Sequence, residues 1–122
     1  MATFQEPIRN YEALLSEGEG SISREAVTIK SGAGVLAAGT VLGKVTTGGK
    51  YEGYDDGKSN GAEVALAVLA QSVDASSADV SATVIARLAE VKKDALQWIA
   101  AVDATAKTKA YSDLAANFVI AR

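Results

Sequence analysis

All eleven glycines of this 122-residue chain lie between positions 18 and 61, and none follows. That distribution limits the fold more than any other feature. Glycine supplies turns and bulges where other residues are strained. The chain therefore divides into an N-terminal segment, a turn-dense middle and a C-terminal half with no glycine. The middle contains GTVLGKVTTGGKYEGYDDGKSNG, residues 39–61, with seven of the eleven. Such a stretch is either a ligand loop or the turn chemistry of a β-rich body.

The ligand readings fail on spacing or on context. A phosphate loop of the G-x-x-x-x-G-K-[ST] type needs lysine directly after its second glycine and a helix beyond. From Gly43 the sixth residue is Gly48, Gly49 follows it, and Lys50 precedes Tyr51. Gly32-Ala33-Gly34-Val35-Leu36-Ala37 fits the dinucleotide pattern, with Glu52 twenty residues after Gly32. That pattern needs a helix N-terminus at the pyrophosphate. Gly39, Thr40, Val41 and Gly43 break any helix there. A calcium loop starting at Asp55 or Asp56 would need glutamate at its twelfth position, which falls on Leu66 or Ala67.

Composition narrows the chemistry further. The chain has no histidine and no cysteine, which removes the commonest general base, thiolate nucleophiles and the usual transition-metal ligands. Carboxylates or lysine alone can still serve an enzyme, but no catalytic, cofactor or metal residue is singled out by composition or motif. Net charge is −3, against the basic surface that nucleic-acid binding requires. No apolar run reaches membrane-spanning length, and MATFQEPIRN lacks the basic and apolar blocks of a signal peptide. The acidic excess sits in residues 1–20, where Glu6, Glu12, Glu17 and Glu19 face Arg9 alone. The remainder is neutral, which suits close packing of many copies.

The pattern predicts an α+β fold: a small, mostly antiparallel β domain with one C-terminal helix and an extended N-terminal arm. Phe4, Ile8, Tyr11 and Leu15 form a one-faced stripe at helical spacing after Pro7. Strands are expected over 24–30, over 40–46 with a bulge at Gly43, and over 50–54 after a Gly48-Gly49 hairpin. Residues 63–91 read as one long antiparallel pair, though AEVALAVLAQSV also has helical propensity. Asp103 is the expected N-cap of a helix whose buried face carries Ala106, Ala110 and Leu114. Asn117 is the expected residue just past its end, before a terminal strand Phe118-Val119-Ile120. Trp98 reads as a core or interface anchor.

Two resemblances follow from quoted segments. VLAAGTVLGKV, with Lys50 after Gly48-Gly49, resembles biotinyl and lipoyl carrier domains, but their Met-Lys-Met or Asp-Lys-Ala signature is absent. A longer ordered set covers roughly residues 12–122: EALLSEGEGSISREAVTI, LAAGTVLGKVTTGGKYEGYDDG, GAEVALAVLAQSVDASSADVSATVIARLAEV, DALQWIAAVDATAK and ANFVIAR. This set resembles the bacteriophage head decoration proteins related to that of phage lambda. One departure is Ile99, where the family often has proline after the tryptophan.

The resemblance implies a non-enzymatic protein without cofactors, made in the host cytoplasm. It would be carried on the outer surface of the virion, as a homotrimer at local threefold positions that cements the expanded shell. The implied partner is the major capsid protein, with no nucleic acid and no membrane. It also implies a capsid-binding arm over 1–22 and a body over 23–122. The arm's anchors would be Phe4, Ile8, Tyr11, Leu14 and Leu15. SREAVTI would be a strand-addition segment through Arg24, Val27 and Ile29, and Trp98 would lie at a trimer or capsid interface.

Overall fold

The computed structural model describes residues 10–18 and 22–122. Phe4 and Ile8 lie outside them. Among the described residues, ten short strands and one α-helix build the fold: β1 (Leu14–Glu17), β2 (Arg24–Ile29), β3 (Gly34–Leu36), β4 (Val41–Lys44), β5 (Tyr51–Gly53), β6 (Ala65–Leu69), β7 (Val73–Ala75), β8 (Val80–Ile85), β9 (Ala89–Val91), α1 (Ala104–Ala115) and β10 (Val119–Ala121). A 3-10 turn spans Lys93–Ala95. The protein is mostly β with one C-terminal helix, as the sequence predicts.

A closed barrel runs in the order β2-β5-β4-β6-β8. Its hairpin turn uses Gly48 and Gly49, both at positive φ. The expected irregularity at Gly43 is present as a register shift against β6. Glycine is required there because a Cβ would come within 2.6 Å of the Ala62 backbone. A second sheet has the order β1-β9-β10, with β1 antiparallel and β10 parallel to the central β9. β3 and β7 form a separate antiparallel pair.

Two apolar clusters explain why β6 reads as continuously hydrophobic. Leu42, Ala67, Leu69 and Val84 join Ile29 and Tyr51 in one cluster. Val41, Ala65, Val68 and Ile85 join Ala106, Ala110, Leu114 and Val119 in the other. The strands β4, β6 and β8 thus contribute to both, with α1, β9 and β10 packed over one face. A strand buried on both faces loses the alternation of a half-exposed strand, which is the source of the helix-strand ambiguity over 62–73.

The helix begins as expected, with the Asp103 carboxylate accepting from the Ala106 N–H at 2.8 Å. Its buried residues are Ala106, Ala110 and Leu114. Its exit differs in detail. The left-handed residue is Phe118, at φ 61°, not Asn117. The pairing of 63–91 is also less continuous than predicted. β6 and β8 pair antiparallel, but β7 leaves to meet β3 and β9 leaves for the second sheet. Asp74–Ala75 and Leu88 are where the chain changes partner.

Candidate functional site

The segment that leads in from the N-terminus is fixed to the body from Asn10 onward. Tyr11 N–H donates to the Ala70 carbonyl at 2.8 Å, and Asn10 Oδ1 accepts from the Ser72 N–H. Tyr11 sits at φ 61°, which ends any helical run before Leu14. Ala13 is buried and Leu14 packs on the α1 cluster. Leu14 and Leu15 lie in β1, not on a helix. Leu15 is 51% exposed. Residues 10–18 therefore share the body's sheet and core, although they precede the boundary expected at residue 22.

Arg24, at the start of β2, reaches back to this segment. Its Nε and Nη2 donate to the two Glu17 carboxylate oxygens at 3.0 and 2.7 Å, and its guanidinium lies 4.5 Å from the Tyr11 ring centre. The hydrogen bond from Arg24 holds the Glu17 carboxyl below the usual glutamate range. Gly18 N–H donates to Ser23 Oγ, and Ser23 Oγ donates to the Leu88 carbonyl. Gly18 and Ser23 are thus joined to each other and to Leu88.

β2 itself is half of a sheet edge. It pairs with β8 over its whole length, Arg24↔Ile85 to Ile29↔Val80. On its other side the register with β5 contains Ile29↔Tyr51 alone. The bond from Ala86 N–H to the Ser23 carbonyl fixes the phase. Ser23, Glu25 and Val27 turn their main-chain groups toward β8, so Arg24 and Ala26 turn theirs away. Among the described residues no strand pairs with that side. An open edge of this kind accepts an extended peptide by main-chain pairing. Two grooves flank it and share Glu25 and Tyr51. One, of about 380 Å³, reaches Gly48, Lys44 and Lys50. The other, of about 310 Å³, reaches Leu66, Arg87 and Phe118.

The predicted residues thus separate. Arg24 and Val27 border this edge, with Val27 half-buried. Ile29 is fully buried in the barrel, so its side chain is a core element here. Trp98 stands apart, edge-on to Tyr54 and Tyr111 at 6.4 and 5.8 Å. It also borders a small groove of about 190 Å³ with Val35 and Ile99, and Val35 is 74% exposed. Sequence reasoning missed Phe118 and Leu88. Both are large, exposed and at positive φ, and the Phe118 carbonyl accepts from the Ala89 N–H beside Leu88. No local signal marks a leucine or phenylalanine for the left-handed region, which glycine and asparagine favour.

Lys50, the residue a carrier domain would modify, is not free at a tip. Its ammonium donates to Asp79 Oδ2 at 2.6 Å. Glu52 is a buried carboxylate that accepts from Lys58 at 2.7 Å and Asn60 at 3.1 Å, with Lys30 at 3.9 Å. Burial pushes its pKa up, but these hydrogen bonds and the two lysine charges outweigh that and hold it below its ordinary value. Its partners make it an ion cluster of the barrel wall. Among the described residues no helix is long and apolar enough to cross a membrane.

Comparison with known families adds one match. The family model described as bacteriophage lambda head decoration protein D matches residues 3–119. No curated protein matches the chain significantly.

Proposed function

Because the chain belongs to the family of bacteriophage lambda head decoration protein D, with the capsid decoration role and place on the virion that this carries, we propose how it does so. The protein binds the outer surface of the expanded head as trimers at local threefold positions. It stabilises the shell against internal DNA pressure, and its partner is the major capsid protein. The observation that carries the reading is the open edge of β2 beside the anchored root of the N-terminal segment. Residues 1–9, with Phe4 and Ile8 as apolar anchors, supply the arm's contact with the capsid. Tyr11 and Leu14 fix its root, and Leu15 extends the contact. SREAVTI offers the main chain of Arg24 and Ala26 for strand addition, with Val27 lining the groove. Val35, Trp98 and Ile99 form a contact between subunits.

The energetics are those of many modest contacts. Linking three arms raises the effective concentration of the second and third once one is attached, which multiplies avidity by about 10² or more. Binding the expanded lattice and not its disassembled form then stabilises the shell by mass action.

Cosedimentation of the full chain with expanded, undecorated heads tests the reading. Saturable binding and raised resistance of the heads to heat or osmotic shock are expected. No binding would overturn it. A chain lacking residues 1–9 should fold and bind more weakly; unchanged binding would remove the arm from the mechanism.

A further inference from the structure

The loop that follows β5 contains Asn60-Gly61, and the fold requires both residues. Gly61 has φ 110°, and a Cβ there would overlap the Lys44 carbonyl and come within 2.6 Å of Thr46 Oγ1. Asn60 supplies one of the hydrogen bonds that satisfy buried Glu52. Asparagine before glycine is also the dipeptide most prone to lose its side-chain amide, because glycine has no Cβ to hinder its own nitrogen. A chemically labile pair is therefore built into the loop that caps Glu52 of the barrel.

Each atom of that reaction is already engaged. Asn60 Nδ2 donates to Glu52 Oε1 at 3.1 Å. Asn60 Oδ1 accepts from the Ala62 N–H at 3.1 Å. The Gly61 N–H, the would-be nucleophile, donates to Glu63 Oε2 at 2.8 Å. The Asn60 carbonyl accepts from the Thr46 N–H at 2.8 Å. The orientation of the carboxamide is fixed by chemistry, since a carboxylate only accepts and an N–H only donates. Glu52 is itself held by Lys58 at 2.7 Å.

We propose that Asn60 is a latent self-modification site, held shut in the folded chain by Glu52, Ala62 and Glu63. When the loop opens, the Gly61 nitrogen gives up its proton and bonds to Asn60 Cγ. The Cγ–Nδ2 bond breaks, ammonia leaves with a proton, and a five-membered imide remains. Water opens the imide to aspartate or isoaspartate, with no oxidant or reductant involved. The product cannot return to the native arrangement. A carboxylate at position 60 would face the Glu52 carboxylate where a hydrogen bond had been, and two like charges sharing one site repel. The loop is thus a one-way record of opening, in which each local unfolding risks lasting loss of the Asn60–Glu52 hydrogen bond.

Peptide mapping of the full chain at mildly alkaline pH tests this without any capsid, so its outcome is separate from that of the decoration reading. Conversion at Asn60 should be at least about tenfold slower in the folded chain than in urea, because reaction waits on a sparsely populated open state. Asn10 and Asn117, neither followed by glycine, are internal controls. Glu52→Gln should speed conversion at Asn60 severalfold and leave the controls unchanged. If that variant does not fold, Lys58→Gln, which loosens the same carboxylate, is the substitute. Asn60→Asp, made directly, should melt at a lower temperature than the parent. Equal rates for Asn60 in the folded and unfolded chain, or a faster folded rate, would overturn the proposal. So would an Asn60→Asp protein as stable as the parent.

Discussion

The Arg24 guanidinium holds the Glu17 carboxylate with hydrogen bonds of 3.0 and 2.7 Å while lying 4.5 Å from the centre of the Tyr11 ring. One side chain of β2 thereby ties down two points on the incoming segment. Arg24→Ala should loosen β1 without unfolding the barrel. Hydrogen exchange of the Leu14–Glu17 amides is expected to rise severalfold, while β6 and β8 keep their protection. Unchanged exchange in β1 would show that its pairing with β9 suffices alone.

Glu52 makes the acid side of the stability curve informative. Its folded pKa is lowered, so its contribution is present above the unfolded glutamate value and is lost as pH falls through the folded value. Glu52→Gln should flatten this acid loss and cost about 1–3 kcal/mol near neutrality, because Lys58 and Asn60 lose a charged acceptor. Urea titrations of both proteins from neutral to acid pH measure it. Parallel curves would remove Glu52 as the cause.

On the alkaline side Tyr54 contributes, its hydroxyl donating to the Ala106 carbonyl at 2.9 Å. Burial first, and then Asp56, Asp113, Asp55 and Asp103, push its pKa up to about 12. The unfolded chain ionises at about 10, so stability is full below that pH and is lost as pH rises toward 12. Tyr54→Phe should reduce this alkaline loss, and absorbance titration should show one fewer late-ionising tyrosine. A Tyr54→Phe protein with the same alkaline loss as the parent would assign the effect elsewhere.

Gly43→Ala would force a Cβ against the Ala62 backbone, 2.6 Å from its Cα and carbonyl oxygen. Backbone yields less readily than a side-chain tip. A loss of about 1–3 kcal/mol is expected from overpacking, read as a lower denaturation midpoint with an unchanged slope. Gly32→Ala meets no neighbour within 4 Å and costs only its positive φ, so it is the milder variant. The reverse order would contradict the packing argument.

Local chemistry was legible wherever a residue type has one dominant use. Asp103 capped the helix, Ala106, Ala110 and Leu114 faced the core, and Gly48-Gly49 turned the hairpin. The site was legible only in part. Arg24 and Val27 border an open edge, but that edge exists because β5 meets β2 at Ile29 alone. Ile29, placed by SREAVTI in the strand-addition segment, has its side chain closed inside the barrel.

The sequence by itself determined the absence of histidine and cysteine chemistry, the turn-rich middle, the lone capped helix and the family resemblance. Each of these depends on residue identity or on spacing within one element. Only the tertiary structure decided that Leu14–Glu17 completes a sheet with β9, that Phe118 and Leu88 stand exposed at positive φ, and that Glu52, Lys58 and Asn60 share one cluster. Those relations join residues through strands paired far along the chain. Their energies come from register, burial and charge that no local window contains.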